Sequence, residues 1–189
     1  PREGDLPAWR GEASRLVVDD RWLRVRADDC VTAEGVRIAP FFVTEYPDWV
    51  IVVALDEAGD LLLVDQYRHG WGVTSRELPT GAIDPEDADP IAAGQRELLE
   101  ETGFGGGAWR LAATLAPNPA TQTNRCHTVL ATGVRRLADP VDEPTERLRL
   151  SIRPVAEAIA QARSGAIVQA MHVAALAMAL PQHWAEPLD

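Results

Sequence analysis

The sequence predicts a mixed β-sheet with helices packed on its faces. Three observations lead there. Short runs rich in β-branched and aromatic residues dominate the first half. The apolar period changes to a helical one soon after Gly81. Beyond that point strands and helices are mixed in order, which suits a sheet flanked by helices.

Taken in order, residues 15–19 and 22–31 alternate partly and hold several β-formers. Residues 36–46 read as another extended run, expected to break at Pro40. Two apolar runs, 49–55 and 61–66, are split by Asp56-Glu57-Ala58-Gly59-Asp60, a hairpin signal. A polar loop covers 82–88. Asp89-Pro90 then opens a helix, since Asp suits the N-cap and Pro the first helical position. The helix runs to Thr102 and ends at Gly103. Leu98, Leu99, Ala92 and Ala93 are expected to form its packing face. Gly94 inside it costs about 1 kcal/mol against Ala, which suggests that another element approaches closely there. Residues 109–115 and 127–132 read as strands, with an amide-rich loop between them. Residues 148–152 form a last strand. Residues 154–163 read as a helix that starts at Pro154 and stops before Gly165, and 169–180 as a second, rich in Ala, Leu and Met.

The chain has 189 residues, enough to bury a core without staples. Its net charge of −11 makes it a poor match for a duplex nucleic-acid binder, which needs a basic footprint. No apolar run is long enough to cross a membrane. The opening Pro1-Arg2-Glu3-Gly4-Asp5 lacks the apolar stretch of a signal peptide, so a cytoplasmic location is expected. Cys30 and Cys126 have neither disulfide-framework nor zinc spacing and read as reduced residues.

The segment that carries chemistry is Arg96-Glu97-Leu98-Leu99-Glu100-Glu101-Thr102-Gly103. At about 100° per residue, Arg96, Glu97, Glu100 and Glu101 fall within an arc of about 140°, with Leu98 and Leu99 expected on the opposite, core-facing side. Three glutamates on one face repel each other, and they lie where the helix dipole disfavours anions. Arg96 offsets only part of this. A hard divalent cation with oxygen ligands would relieve it.

With Gly81 upstream, these residues resemble the Nudix box: Gly, five residues, Glu, seven residues, then Arg-Glu, an apolar residue, any residue, Glu-Glu, any residue, Gly and an apolar residue. The second half matches at every constrained position through Phe104. The first half departs. Counted from Gly81 the early Glu position holds Asp87; counted back from Arg96 it holds Ala88, so one residue is inserted in the loop. Val64-Asp65-Gln66-Tyr67-Arg68, Glu77-Leu78-Pro79-Thr80-Gly81 and the tail from Ser164 resemble the ADP-ribose pyrophosphatase branch. The resemblance implies an α/β/α sandwich with an N-terminal antiparallel strand region over 1–47, a hydrolase domain over 48–189, and a homodimer. It implies hydrolysis of the pyrophosphate bond of a small nucleoside diphosphate derivative, ADP-ribose foremost, with Mg²⁺ as cofactor and Mn²⁺ as the alternative.

The same resemblance assigns roles. Glu97, Glu100, Glu101 and the Thr80 backbone carbonyl match metal ligands. Arg96 matches the arginine that holds the glutamates, and Glu100 and Arg96 join the catalytic set. The base that activates water falls on Glu146, with Glu143 the alternative. Arg68 and Glu77 match substrate-contact positions, a surface ion pair being the other reading. Trp49 is read as a core or interface residue and His127 as a strand histidine. The loop 117–125 departs from the branch where the terminal sugar would sit. Another nucleoside diphosphate sugar, a dinucleotide, or a module that senses a nucleotide sugar without cutting it are the competing readings; the intact glutamate set argues against the last.

Overall fold

The computed structural model describes residues 6–21, 23–141, 145 and 147–184. The chain divides into two compact units, one containing the described residues through Pro47 together with Ala116–Asn124, the other Asp48–Leu115 with Arg125 onward.

The first unit is an antiparallel sheet in the order β1 (Arg10–Asp19), β2 (Arg24–Val31), β3 (Arg37–Glu45). β1 extends five residues before the expected 15–19. Its early residues are poor β-formers, and pairing with β2 rather than propensity makes them a strand. β3 passes through Pro40 instead of breaking there. The register slips between Asp28 and Cys30, so Pro40 falls in an irregularity where its missing N–H interrupts no ladder bond. Thr44 of β3 holds the loop 116–124: its N–H donates to the Thr121 carbonyl at 2.8 Å, and its own carbonyl accepts from Thr123. Sequence placed that loop in the main domain.

The second unit contains an eight-stranded mixed sheet. Its path is β11 (Leu148–Arg153), β5 (Leu61–Arg68), β4 (Trp49–Asp56), β10 (Cys126–Arg136), β8 (Phe104–Gly105). β6 (Val73–Glu77) pairs with β5, β7 (Thr80–Ala82) with β4, and β9 (Ala108–Leu115) with β10. Only β4 and β10 run parallel among these pairs. β4 is buried on both faces, which is why its sequence reads as a continuous apolar run. Val50, Val52 and Ala54 face α1 (Pro90–Thr102), while Ile51 and Val53 face α2 (Val155–Ser164) and α3 (Ala170–Ala179). Helices therefore cover both faces, and the α/β/α sandwich stands. A short 3₁₀ turn, Pro181–Trp184, follows α3. None of the described helices is long and apolar enough to cross a membrane.

Local signals set the helix ends as expected. Asp89 Oδ1 accepts from the N–H groups of Ile91 and Ala92 at 2.8 and 2.9 Å, and Pro90 opens the helix. Gly103, at φ 74°, closes it with its N–H donating to the Leu99 carbonyl. The packing face matches the expected one at Ala93 and Leu98 but not at Leu99. Ala93, Gly94, Leu98, Glu101 and Thr102 are buried, whereas Leu99 is 39% exposed. Gly94 is the close approach: a Cβ there would stand 2.8 Å from Val129 Cγ2 and 3.3 Å from Val52 Cγ2. Cys126 is buried and Cys30 half-buried, both free thiols, and burial pushes Cys126 up to about 11.

Gly94→Val should therefore destabilise the fold by roughly 1–3 kcal/mol through overpacking, read as a lower urea midpoint. A variant as stable as the parent would mean that the helix can slide away from β4 and β10.

Candidate active site

Glu77, Leu78, Pro79 and Thr80 carry the chain from β6 into β7, a three-residue strand laid against β4 in the register Ile51↔Thr80, Val50↔Gly81, Trp49↔Ala82. The Thr80 hydroxyl donates to the Val50 carbonyl at 2.7 Å and anchors the strand. α1 packs over β7 and touches each of its residues with a different polar side chain. Glu101 Oε2 accepts from the Thr80 N–H at 3.2 Å. The Glu97 carboxylate fills the place where a Gly81 side chain would be, so that any Cβ there would overlap it. Arg96 Nη2 donates to the Ala82 carbonyl at 3.0 Å.

Arg96 organises the acids around it. Nη1 donates to Glu97 Oε1 at 2.8 Å and to Glu100 Oε2 at 3.1 Å. Nε and Nη2 form a fork on Asp87 at 3.3 and 3.0 Å, and Asp84 lies at 3.4 Å. Asp87 explains how the inserted residue is absorbed. Its N–H donates to the Asp84 carbonyl, and its Oδ2 accepts from the Asp84 N–H at 2.9 Å, closing a turn that brings its carboxylate onto Arg96. The Arg96 hydrogen bond holds Asp87 below the usual carboxylate range against the effect of burial, and Asp87 in turn raises Arg96 above its ordinary value.

Of the three glutamates on α1, Glu100 is exposed, Glu97 half-buried and Glu101 buried. Their all-oxygen donor chemistry suits a hard cation such as Mg²⁺. In their present positions Glu101 and Glu97 lie against different residues of β7 while Glu100 lies on Arg96, and among the described residues no three His, Cys, Asp or Glu side chains form a metal-holding group. Around Arg96 stand Asp84, Asp87, Glu97 and Glu100, four carboxylates against one guanidinium. This oxygen donor set would suit a divalent cation, which would supply the positive charge that Arg96 alone provides here.

On its other side β7 lines a pocket of about 440 Å³, within the usual range for small-molecule sites. Trp49, Trp71, Arg68, Glu77 and His172 contribute to its wall. Arg68 and Glu77 form an ion pair whose guanidinium is partly exposed and whose carboxylate is buried. Arg68 Nε and Nη2 donate to Glu77 Oε1 and Oε2 at 2.9 and 2.6 Å, and Glu77 is only 2% exposed. Burial pushes the Glu77 carboxyl up. The Arg68 hydrogen bonds, with the charge of its guanidinium, more than reverse this and hold it below its ordinary value.

Glu146 and Glu143 lie outside the described residues. Trp49, read from sequence as a core or interface residue, stands in the pocket wall. His127 sits within β10, between the Thr114 hydroxyl at 3.0 Å and Asp48 Oδ2 at 3.3 Å. Sequence reading passed over His172. Its one signal was an imidazole within an apolar helix, and only folding brings it to Glu77.

Burial pulls the His172 ring down to about 4, against the attraction of Glu77. Its folded value lies below the ordinary 6.5, so as pH falls the unfolded chain takes up the proton first. Stability from this group is complete above 6.5 and declines toward pH 4 by roughly 3 kcal/mol. Urea denaturation across that range should record the decline, and His172→Asn should remove most of it. An unchanged slope in that variant would assign the acid sensitivity elsewhere.

Comparison with known proteins agrees with this geometry. The NUDIX domain model matches residues 45–170, and the nucleoside diphosphate sugar hydrolase N-terminal domain model matches 9–44. The chain is 32% identical over 147 residues to an ADP-ribose pyrophosphatase of Mycobacterium tuberculosis, covering 77% of this chain and 71% of that one. It is 31% identical over 160 residues to a CMP-5'-(N-acetyl-N-hydroxy-3-aminopropyl)phosphonate hydrolase of Streptomyces rubellomurinus, covering 85% and 76%. A solved structure described as the crystal structure of ADP compounds hydrolase shares the fold, with a TM-score of 0.81 at 24% identity and 95% of each chain covered. With the box helix seated on β7 and a family model spanning most of its length, this chain belongs to the Nudix family and is a Nudix pyrophosphohydrolase.

Proposed function

We propose that the chain hydrolyses ADP-ribose to AMP and ribose 5-phosphate with Mg²⁺ held by Glu97, Glu100, Glu101 and the Thr80 carbonyl. The observation that carries this reading is the shared wall. Thr80, Gly81 and Ala82 line the pocket on one side and meet Glu101, Glu97 and Arg96 on the other. A diphosphate drawn along β7 would lie beside both the glutamates and the Arg68 guanidinium. The similarity to the Mycobacterium enzyme supports the choice of ADP-ribose.

The protein groups divide the work. Arg68 grips a phosphate through its planar fork, oriented by Glu77 beneath it. Trp49 offers a ring face on which adenine can stack. Arg96 holds Glu97 and Glu100 in register with β7. Glu146, or Glu143 in its place, takes a proton from the attacking water as its oxygen bonds to phosphorus, and the bridging oxygen leaves with the other phosphate. Bound Mg²⁺ neutralises the diphosphate and favours ionised water. The protein is proposed to act as a homodimer, a reading supported by β1, an edge strand whose ten residues are all exposed.

Release of AMP from ADP-ribose should require Mg²⁺ or Mn²⁺. The Streptomyces relative makes a CMP-linked substrate the second member of the test panel. If no nucleoside diphosphate derivative is cleaved in a metal-dependent way, the assignment fails. Glu101→Gln should lower kcat on the order of 100-fold or more while the Thr80 contact and the fold persist, because the amide oxygen still accepts. Near-normal turnover would remove Glu101 from the metal set. Glu146→Gln and Glu143→Gln, compared in pH–rate profiles, should separate the base from its neighbour: the true base loses the acidic limb of the profile.

A further inference from the structure

His172 is a buried group for which the reaction above has no use. It is 1% exposed and projects from α3, whose neighbouring positions Ala175, Leu176 and Ala179 are apolar and buried. An imidazole in such a place costs desolvation unless its nitrogens are matched. Both face the segment between β6 and β7. Nδ1 accepts from the Leu78 N–H at 2.8 Å. Nε2 stands 3.6 Å from Glu77 Oε2, the oxygen that also receives Arg68 Nη2. An N–H donor opposite Nδ1 leaves that nitrogen unprotonated, so the ring carries its hydrogen on Nε2, directed at Glu77. Gln169 fixes the ring's starting point, capping α3 by accepting from the Met171 and His172 N–H groups.

We infer that His172 is a positioning residue of the substrate pocket: its neutral, Nε2-protonated ring braces the Glu77 carboxylate so that Glu77 holds Arg68 at one angle in the pocket wall. Two features separate this from a role in folding alone. Satisfying the Leu78 N–H requires only an acceptor at the Nδ1 position, which an asparagine supplies. Reaching Glu77 as well requires a donor at the Nε2 position. The chain of contacts also ends on a group whose placement matters to a ligand, since Arg68 is 41% exposed at the side chain while Glu77 and His172 are sealed behind it. Burial keeps the ring neutral to about pH 4, so the brace persists throughout the neutral range.

The kinetic part of the inference rests on the pyrophosphohydrolase reading; the structural part does not. His172→Asn keeps an acceptor for Leu78 and removes the donor toward Glu77, whereas His172→Gln keeps a donor near the Nε2 position. With ADP-ribose and Mg²⁺, His172→Asn should raise KM about tenfold with kcat within about threefold, and His172→Gln should restore most of the loss. Independently of activity, the Arg68 Nε–H resonance should shift in His172→Asn and return toward its original position in His172→Gln. Nitrogen chemical shifts of the His172 ring should report the Nε2–H tautomer from pH 8 to pH 5. An unmoved Arg68 resonance in a folded His172→Asn variant overturns the inference. So does an equal fall of kcat and thermal stability in both variants without a KM effect. If the parent protein cleaves no pyrophosphate but the Arg68 resonance moves as described, the activity reading fails and the positioning role stands.

Discussion

Three backbone positions, Thr80, Gly81 and Ala82, are the constraint on which the site depends. A helix that packs on a sheet normally buries apolar side chains along its whole stripe. α1 does so over its first half, where Ala93 and Gly94 meet β4 and β10. Its second half continues the same stripe with Glu97 and Glu101, set over β7. The missing Gly81 side chain makes room for one carboxylate, and the Thr80 N–H receives the other. The acids are thus kept near the sheet and cannot drift into solvent as a charged surface face would.

Arg96 balances this arrangement incompletely. One guanidinium serves four carboxylates and the Ala82 carbonyl. Asp87 takes the fork of Nε and Nη2, so the loop that carries the insertion is tied to the same anchor. Glu97 stands against Gly81 of β7, and Glu100 is exposed on the same guanidinium. On the opposite side of the strand the balance is different: Arg68, Glu77 and His172 form a closed set in which each polar group meets another. A rigid cation-bearing wall and an electron-rich acidic cluster are separated by one short strand.

Strands that owe their existence to pairing were the least legible part. β6 is polar and charged, and β7 is three residues long; neither has a period to read, and both exist because β5 and β4 offer edges. Helix limits were legible because capping is local: Asp89, Pro90 and Gly103 act on their own backbone neighbours. Leu99 shows the limit of angular reasoning. A helical wheel places side chains relative to one another but does not say which direction the sheet lies, and the sheet lies toward Glu97 and Glu101.

From the sequence alone came the longer strands and the helices in their order, the ends of α1 and the acids it carries, because each follows from period or capping along a continuous stretch, and the family pattern came by resemblance over that same stretch. Tertiary structure alone decided that Asp87 would turn onto Arg96, that Arg68 would pair with a buried Glu77, and that His172, 95 residues beyond Glu77, would stand behind them. It also drew the loop 116–124 onto Thr44. The reason is physical: these partners are chosen by burial and by unmet hydrogen-bonding groups between distant segments, and no local period records which groups will be left to meet.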